Sequence, residues 1–252
     1  MKISPKKRFS QNFLKNDEIS KKIAALVSKK NILIEVGPGT GYLTKNLLEH
    51  KNLHLVEIDL DCVNFLKKKF PHLKEKIKNE DFLSLNLKKT FGEKLSIIGN
   101  FPYNISNKIF SKIINDKDCI VELIGMFQKE VAERICAQPG TKKYGILSVL
   151  IQAFYKTSYL FTVSEEVFDP PPKVKSGVIR FERNEIEHLN CDEILFVKVV
   201  KSTFNQRRKM VRNSIKGLCK DHNISHQLMT KRPEQLSVND FIQLTNLLES
   251  KI

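Results

Sequence analysis

Ile32-Leu33-Ile34-Glu35-Val36-Gly37-Pro38-Gly39-Thr40-Gly41 is the stretch that decides the fold of this chain. A short apolar run leads into glycines at 37, 39 and 41, and a helical pattern, Tyr42 to His50, follows. Glycines so placed allow a tight turn and a close approach of backbone to a ligand. A second apolar run, Leu53-His54-Leu55-Val56-Glu57, ends in an acid 20 residues beyond Gly37. At the carboxyl end of a strand in an open α/β sheet, such an acid is placed to accept hydrogen bonds from both hydroxyls of a ribose. Strands alternate with helical patterns from Ile32 to about Phe127. That alternation predicts a parallel sheet with helices on both faces.

The ligand is narrowed by what the loop lacks. Its spacing is G-x-G-x-G, unlike the dinucleotide fingerprint, and no G-x-x-x-x-G-K-[ST] phosphate loop occurs. A carboxylate at Glu35 would repel a pyrophosphate and suits a ligand with a cationic amino-acid tail. S-adenosylmethionine combines such a tail with a ribose and an adenine. Asn79-Glu80-Asp81-Phe82-Leu83, after the third expected strand, offers Asp81 to the adenine N6–H, with apolar neighbours for the ring.

The apolar run Leu95-Ser96-Ile97-Ile98-Gly99 ends in Asn100-Phe101-Pro102-Tyr103. This element suits an exocyclic amino group on a planar heterocycle. The Asn100 side-chain oxygen and the Pro102 carbonyl can each accept one N–H. Tyr103 can stack on the base, an interaction worth about 1–3 kcal/mol in nucleic-acid sites. An amino nitrogen held by two acceptors localises its lone pair and becomes nucleophilic.

These elements resemble one family. Lys7-Arg8-Phe9-Ser10-Gln11-Asn12-Phe13-Leu14, the glycine loop, Gly99 to Ser106, Gln128-Lys129-Glu130, Tyr144 to Val149, Phe168-Asp169-Pro170-Pro171-Pro172-Lys173-Val174-Lys175-Ser176 and Phe204-Asn205-Gln206-Arg207-Arg208-Lys209 stand in the order of the ribosomal small-subunit RNA adenine N6-dimethyltransferases (KsgA type). The resemblance runs from about Lys6 to the C-terminus. It implies a Rossmann-like S-adenosylmethionine-dependent methyltransferase fold with a small C-terminal helical domain, and two methyl groups on each of two adjacent adenosines in the 3′-terminal hairpin of 16S ribosomal RNA. It implies cofactor contacts from Asn12, Leu14, Gly37, Gly39, Glu57, Asp81 and Asn100. The catalytic set is Asn100, Pro102 and Tyr103, with Phe168 closing over the other face of the base. The large-subunit adenine methyltransferases of macrolide resistance share the loop and the phenylalanine motif. The Asn-x-Pro-Tyr-Asn-Ile-Ser form and the Phe-Asn-Gln-Arg-Arg-Lys stretch favour the small-subunit group. Phe101 stands where Leu is more usual, and Phe82 where a small residue is frequent.

The formal charge of +15 points to nucleic acid. Residues 1–30 carry nine Lys or Arg against two acids, and residues 188–252 eleven against six. Arg207, Arg208, Lys209 and Arg212 are expected on one helix, facing RNA phosphates. Two domains are expected, 1–187 for cofactor and catalysis and 188–252 for RNA contact. Residues 144–156 read as an amphipathic helix, and Thr157 to Val163 and Gly177 to Phe181 as late strands. Cys219, His222 and His226 have a spacing that can ligate zinc, but no fourth ligand stands nearby and no metal is expected. Five scattered cysteines, a charged start without an apolar core and the lack of a long apolar run predict a cytoplasmic protein without a membrane span. The resemblance implies 16S RNA within a small-subunit ribosomal precursor as the substrate, and a monomer is expected. A non-catalytic assembly factor on this fold would be marked by an eroded glycine loop or a lost Asn100, and neither is seen. A DNA adenine methyltransferase usually needs a target-recognition domain larger than the 65 residues after 187.

Overall fold

The computed structural model describes residues 3–218 and 224–249. Its strands are β1 (Phe13–Leu14), β2 (Ile32–Val36), β3 (Leu53–Val56), β4 (Ile77–Lys78), β5 (Leu95–Asn100), β6 (Ile120–Gln128), β7 (Tyr155–Val163), β8 (Phe168–Asp169) and β9 (Ser176–Arg183). The helices are α1 (Asp17–Ala24), α2 (Leu60–Lys69), α3 (Leu87–Phe91), α4 (Ser106–Asn115), α5 (Lys129–Ile135), α6 (Ile146–Gln152), α7 (Glu193–Asn205), α8 (Val211–Ser214) and α9 (Val238–Glu249).

Seven strands form one sheet in the order β4-β3-β2-β5-β6-β9-β7. The first five are parallel, and β9 runs antiparallel to β6. Strands buried on both faces need near-continuous apolar runs. Accordingly Leu33 and Ile34 of β2 and Leu95, Ile97 and Ile98 of β5 are fully buried. The register sets Val36 beside Val56 and Gly99, so β2, β3 and β5 all reach their carboxyl ends at one level. The order reverses at β2, which sends β3 to one side and β5 to the other. Ligands of open α/β sheets bind at such a switch point. A separate ribbon pairs β1 with β8, Leu14 opposite Phe168.

Two local expectations are corrected. Tyr42 to His50 is not an α-helix but a tighter stretch around a 3-10 turn, Thr44–Asn46. Leu47 N–H donates to the Thr44 carbonyl at 2.9 Å and His50 N–H to that of Leu47 at 3.0 Å. Burial of Thr44, Leu47 and His50, each three positions apart, suits the three-residue period. The helix expected over 144–156 stops at Gln152, because Tyr155 opens the β-branched and aromatic run of β7.

The chain divides into two compact units, Met1–Ala132 with Ser158–Arg183, and Glu133–Thr157 with Asn184–Ile252. This differs from a linear division at 187 and 188, because residues 133–157 group with the helical tail. The reason lies in the core of the second unit. Tyr144 is fully buried, its ring 6.1 Å from Phe204, which lies 5.8 Å from Phe241 on α9. Gly140 N–H donates to the Glu234 carbonyl at 2.6 Å. Of the proposed zinc set, Cys219 and His222 lie outside the described residues. His226 Nδ1 accepts from Leu228 N–H at 3.2 Å, capping a 3-10 turn. Among the described residues no cluster of His, Cys, Asp or Glu could hold a metal, and no helix is long and apolar enough to cross a membrane.

Candidate active site

A cavity of about 240 Å³ opens where β2, β3 and β5 end. Gly37 and Gly39 form its floor after β2, with φ of 65° and 56°, a left-handed backbone that glycine adopts without strain. A Cβ on Gly39 would lie 2.8 Å from the Phe13 ring, so glycine here lets the N-terminal arm pack on the loop. A Cβ on Gly37 would meet no atom within 4 Å, so the backbone there borders open space.

Glu57 follows β3 and is 4 % exposed. Its Oε2 accepts Gly39 N–H at 3.0 Å and its Oε1 accepts Asp59 N–H at 2.9 Å. Burial pushes its carboxyl above the usual range, opposed by those N–H groups. Glu57 also lines the cavity. Asp59 caps α2 by accepting Asp61 N–H, and anchors the arm through Lys6 Nζ at 2.5 Å and Gln11 Nε2 at 3.1 Å. Burial opposes ionisation of Asp59, but Lys6 and Gln11 outweigh it and hold the carboxyl below its usual range. Asp81 lines the cavity beyond β4. Its Oδ1 accepts Leu83 N–H at 2.9 Å, which sets the turn, and among the described residues Oδ2 has no protein partner.

Across the cavity, Asn100 ends β5. Its Nδ2 donates to the Asn12 carbonyl at 2.8 Å. A carbonyl only accepts, so the amide NH2 must face the arm, and among the described residues Oδ1 is left as a free acceptor. The Pro102 carbonyl accepts Ile105 N–H at 3.2 Å, which occupies one of its two lone pairs. Tyr103 lines the cavity, and its hydroxyl lies 2.6 Å from Ser176 Oγ. Burial raises the Tyr103 pKa, so the phenol is neutral at ordinary pH.

Eight residues singled out from sequence thus line one cavity: Asn12, Gly37, Gly39, Glu57, Asp81, Asn100, Pro102 and Tyr103. Leu14 and Phe168 do not. They face each other in the β1–β8 ribbon, 5 % and 4 % exposed, within the hydrophobic core. Phe168 packs as a core aromatic here. Glu35 is also corrected. It is 1 % exposed and lies off the cavity, because alternation along β2 turns it away from the face that Val36 and Gly37 present. Burial pushes its carboxyl up to about 8. Sequence reasoning missed Ile58, a 46 % exposed isoleucine on the cavity wall, and Lys108 at its rim. An apolar residue directly after a ribose-type acid was the available signal for Ile58.

In the second unit, Arg207, Arg208 and Lys209 occupy a turn between α7 and α8, not one helix. Phe204 and Gln206 carbonyls accept Arg207 and Lys209 N–H groups there, at 3.2 and 2.7 Å. Arg208, Lys209 and Arg212 are exposed. Arg207 differs. Its Nη2 donates to the Thr141 carbonyl at 3.1 Å, and its Nε is 3.9 Å from Glu234 Oε2, so it ties this unit together.

The sheet, the glycine turn and the acid after the next strand define an S-adenosylmethionine-dependent methyltransferase fold, and S-adenosylmethionine is the cofactor of this class. A family model described as ribosomal RNA adenine dimethylase matches residues 3–250. The chain belongs to that family and is an enzyme. It is 52 % identical to the ribosomal RNA small subunit methyltransferase A of Bacteroides thetaiotaomicron over 99 % of this chain and 96 % of the relative. Identity to the protein of the same name from Flavobacterium johnsoniae is 52 %, over 99 % of this chain and 97 % of the relative. Among solved structures, a dimethyladenosine transferase from Plasmodium falciparum superposes with a TM-score of 0.79 at 25 % identity, covering 94 % of this chain and 98 % of the other. The 23S rRNA methyltransferase ErmE shares the fold, with a TM-score of 0.69 at 21 % identity over 93 % of this chain and all of the other.

Proposed function

We propose that this chain converts two adjacent adenosines in the 3′-terminal hairpin of 16S ribosomal RNA to N6,N6-dimethyladenosine, during small-subunit biogenesis. The reading includes a small-subunit precursor as substrate and a monomeric, cytoplasmic enzyme. One observation carries the chemistry. The Asn12 carbonyl fixes the Asn100 amide so that its oxygen is the free acceptor beside a half-buried tyrosine ring.

The cavity wall fits the cofactor. Its acids, buried Glu57 and exposed Asp81, suit ribose hydroxyls and an exocyclic amine, and would disfavour a phosphate-bearing ligand. Open space beside Gly37 allows the ligand to approach the backbone. Bound S-adenosylmethionine supplies an electrophilic methyl group on a sulfonium centre. Asn12 and Gln11 close the cavity from the arm, and Asp59 holds the arm in place.

The target adenosine must leave its stack to reach a buried site. Asn100 Oδ1 accepts one N6–H and the free lone pair of the Pro102 carbonyl accepts the other. Tyr103 stacks on the base. These contacts hold N6 with its lone pair localised and directed at the methyl donor. No buried base is required, because the N6 proton becomes acidic once the nitrogen is methylated and leaves to water. Positioning is then the main contribution of the protein. The exposed cations Arg208, Lys209 and Arg212 contact phosphates. Deletion of the gene tests the reading, with 16S nucleosides read by mass spectrometry. N6,N6-dimethyladenosine should vanish, and return with the wild-type chain but not with Asn100→Ala. Unchanged 16S nucleosides would contradict the proposal.

A further inference from the structure

Ser176 is the first residue of β9 and is fully buried, with no access to solvent. Its Oγ lies 2.6 Å from the Tyr103 hydroxyl, 73 positions earlier in the chain. No other protein group among the described residues bonds to that hydroxyl, so this contact alone fixes the far end of the ring. We propose that Ser176 is a positioning residue for the target base, setting the tilt of the Tyr103 ring against which the adenine stacks. This rests on the assignment of Tyr103 as the stacking residue.

Ser176 is suited to the task because its strand is held on both sides. It pairs with Gln128 in the β6–β9 ladder. At its neighbour Gly177 a Cβ would lie 2.7 Å from both Ala132 Cβ and the Tyr159 ring, so the strand is packed against both with no room to shift. Lys129 N–H holds the preceding carbonyl, that of Lys175, at 2.9 Å. Ser176 also ends the stiff segment Pro170-Pro171-Pro172 to Lys175, in which each proline fixes its own φ. A tyrosine ring on a short 3-10 turn has its own rotational freedom at the cavity edge. A hydroxyl on a buried, paired strand restrains it, and preorganised orientation is the kind of contribution that appears in turnover.

The test compares wild type, Ser176→Ala, Tyr103→Phe and the double variant, on small-subunit particles isolated from cells lacking the enzyme. Each single variant should lower kcat by about tenfold, because a small misplacement at a reacting centre costs that order of rate or more. KM for the particles and Kd for S-adenosylmethionine should stay within about twofold. The double variant should be no slower than either single one, since both remove the same contact. Should Ser176→Ala fail to fold, Tyr103→Phe, at a less buried position, carries the comparison of kcat with KM. Wild-type kcat in folded single variants, or effects that multiply in the double variant, would overturn the inference while the methyltransferase reading stands. Failure of the wild type to methylate the particles would overturn both.

Discussion

The two walls of the cavity are held in place in different ways. On the wall made by β2 and β3, the carboxylate assigned to the ribose is held by nearby groups. Glu57 is braced by N–H groups of Gly39 and Asp59, 18 and two positions away. On the wall at the end of β5, the contacts are distant. Asn100 is held by Asn12 and Tyr103 by Ser176, 88 and 73 positions away. The cofactor wall therefore forms with its own strand–turn–strand unit. The wall assigned to the base is completed only when the arm and β9 have docked. Changes on the first should be felt in cofactor affinity and stability together, and changes on the second in rate.

The sharpest way to break this contrast is Asn100→Ala. It should lower turnover by at least ~100-fold, the cost of losing an orienting hydrogen bond at a reacting centre. Cofactor affinity, read by calorimetry, should change far less. Activity within a few-fold of wild type would remove Asn100 from the amino-gripping role.

Glu57→Ala should weaken S-adenosylmethionine binding by about 1.5–3 kcal/mol, the range for hydrogen bonds to a charged group. It should also lower Tm, because two backbone N–H groups lose their partner. Unchanged affinity by calorimetry would take Glu57 out of the ribose site.

The second unit offers a contrast within one motif. Replacing Arg208, Lys209 and Arg212 with Ala should reduce the slope of log K against log salt by roughly 2–3 units, with Tm little altered. Arg207→Ala should do the reverse, because its guanidinium is spent on Thr141 and Glu234. A full unit of slope lost with Arg207 and an unchanged Tm would reverse that division.

Glu35 gives an effect on stability alone, read through its pH dependence. Its folded pKa of about 8 exceeds the ordinary value of 4.5, so the folded state holds a proton that the unfolded chain has released. The stability contributed by protonated Glu35 is intact below about pH 4.5 and is lost as pH rises toward about 8. Glu35→Gln should therefore raise Tm relative to wild type more at about pH 9 than at about pH 5. An equal difference at both would contradict a buried, neutral Glu35.

What was legible in the sequence follows the same contrast. The glycine turn, Glu57, Asp81 and the Asn100 to Tyr103 element could be read because strand ends, spacing and residue chemistry are local features. The positions of Leu14 and Phe168 were not legible, since the β1–β8 pairing joins segments far apart in the chain and puts both in the core. Glu35 was misread because its place beside the glycines hides the alternation of β2, which turns it away from the cavity. The basic cluster looked helical by spacing, yet α7 ends at Asn205 and the chain turns before α8. Residues 133–157 joined the helical unit through Tyr144, whose burial against Phe204 no local pattern announces.

The most direct test of the central claim is methyl transfer in vitro. The purified chain, S-adenosylmethionine and small-subunit particles lacking the modification would be incubated, and the 16S RNA digested and read by mass spectrometry. The account predicts N6,N6-dimethyladenosine at the two adjacent adenosines of the 3′-terminal hairpin, and none with Asn100→Ala. Methyl groups absent from that hairpin, or found in 23S RNA instead, would contradict it.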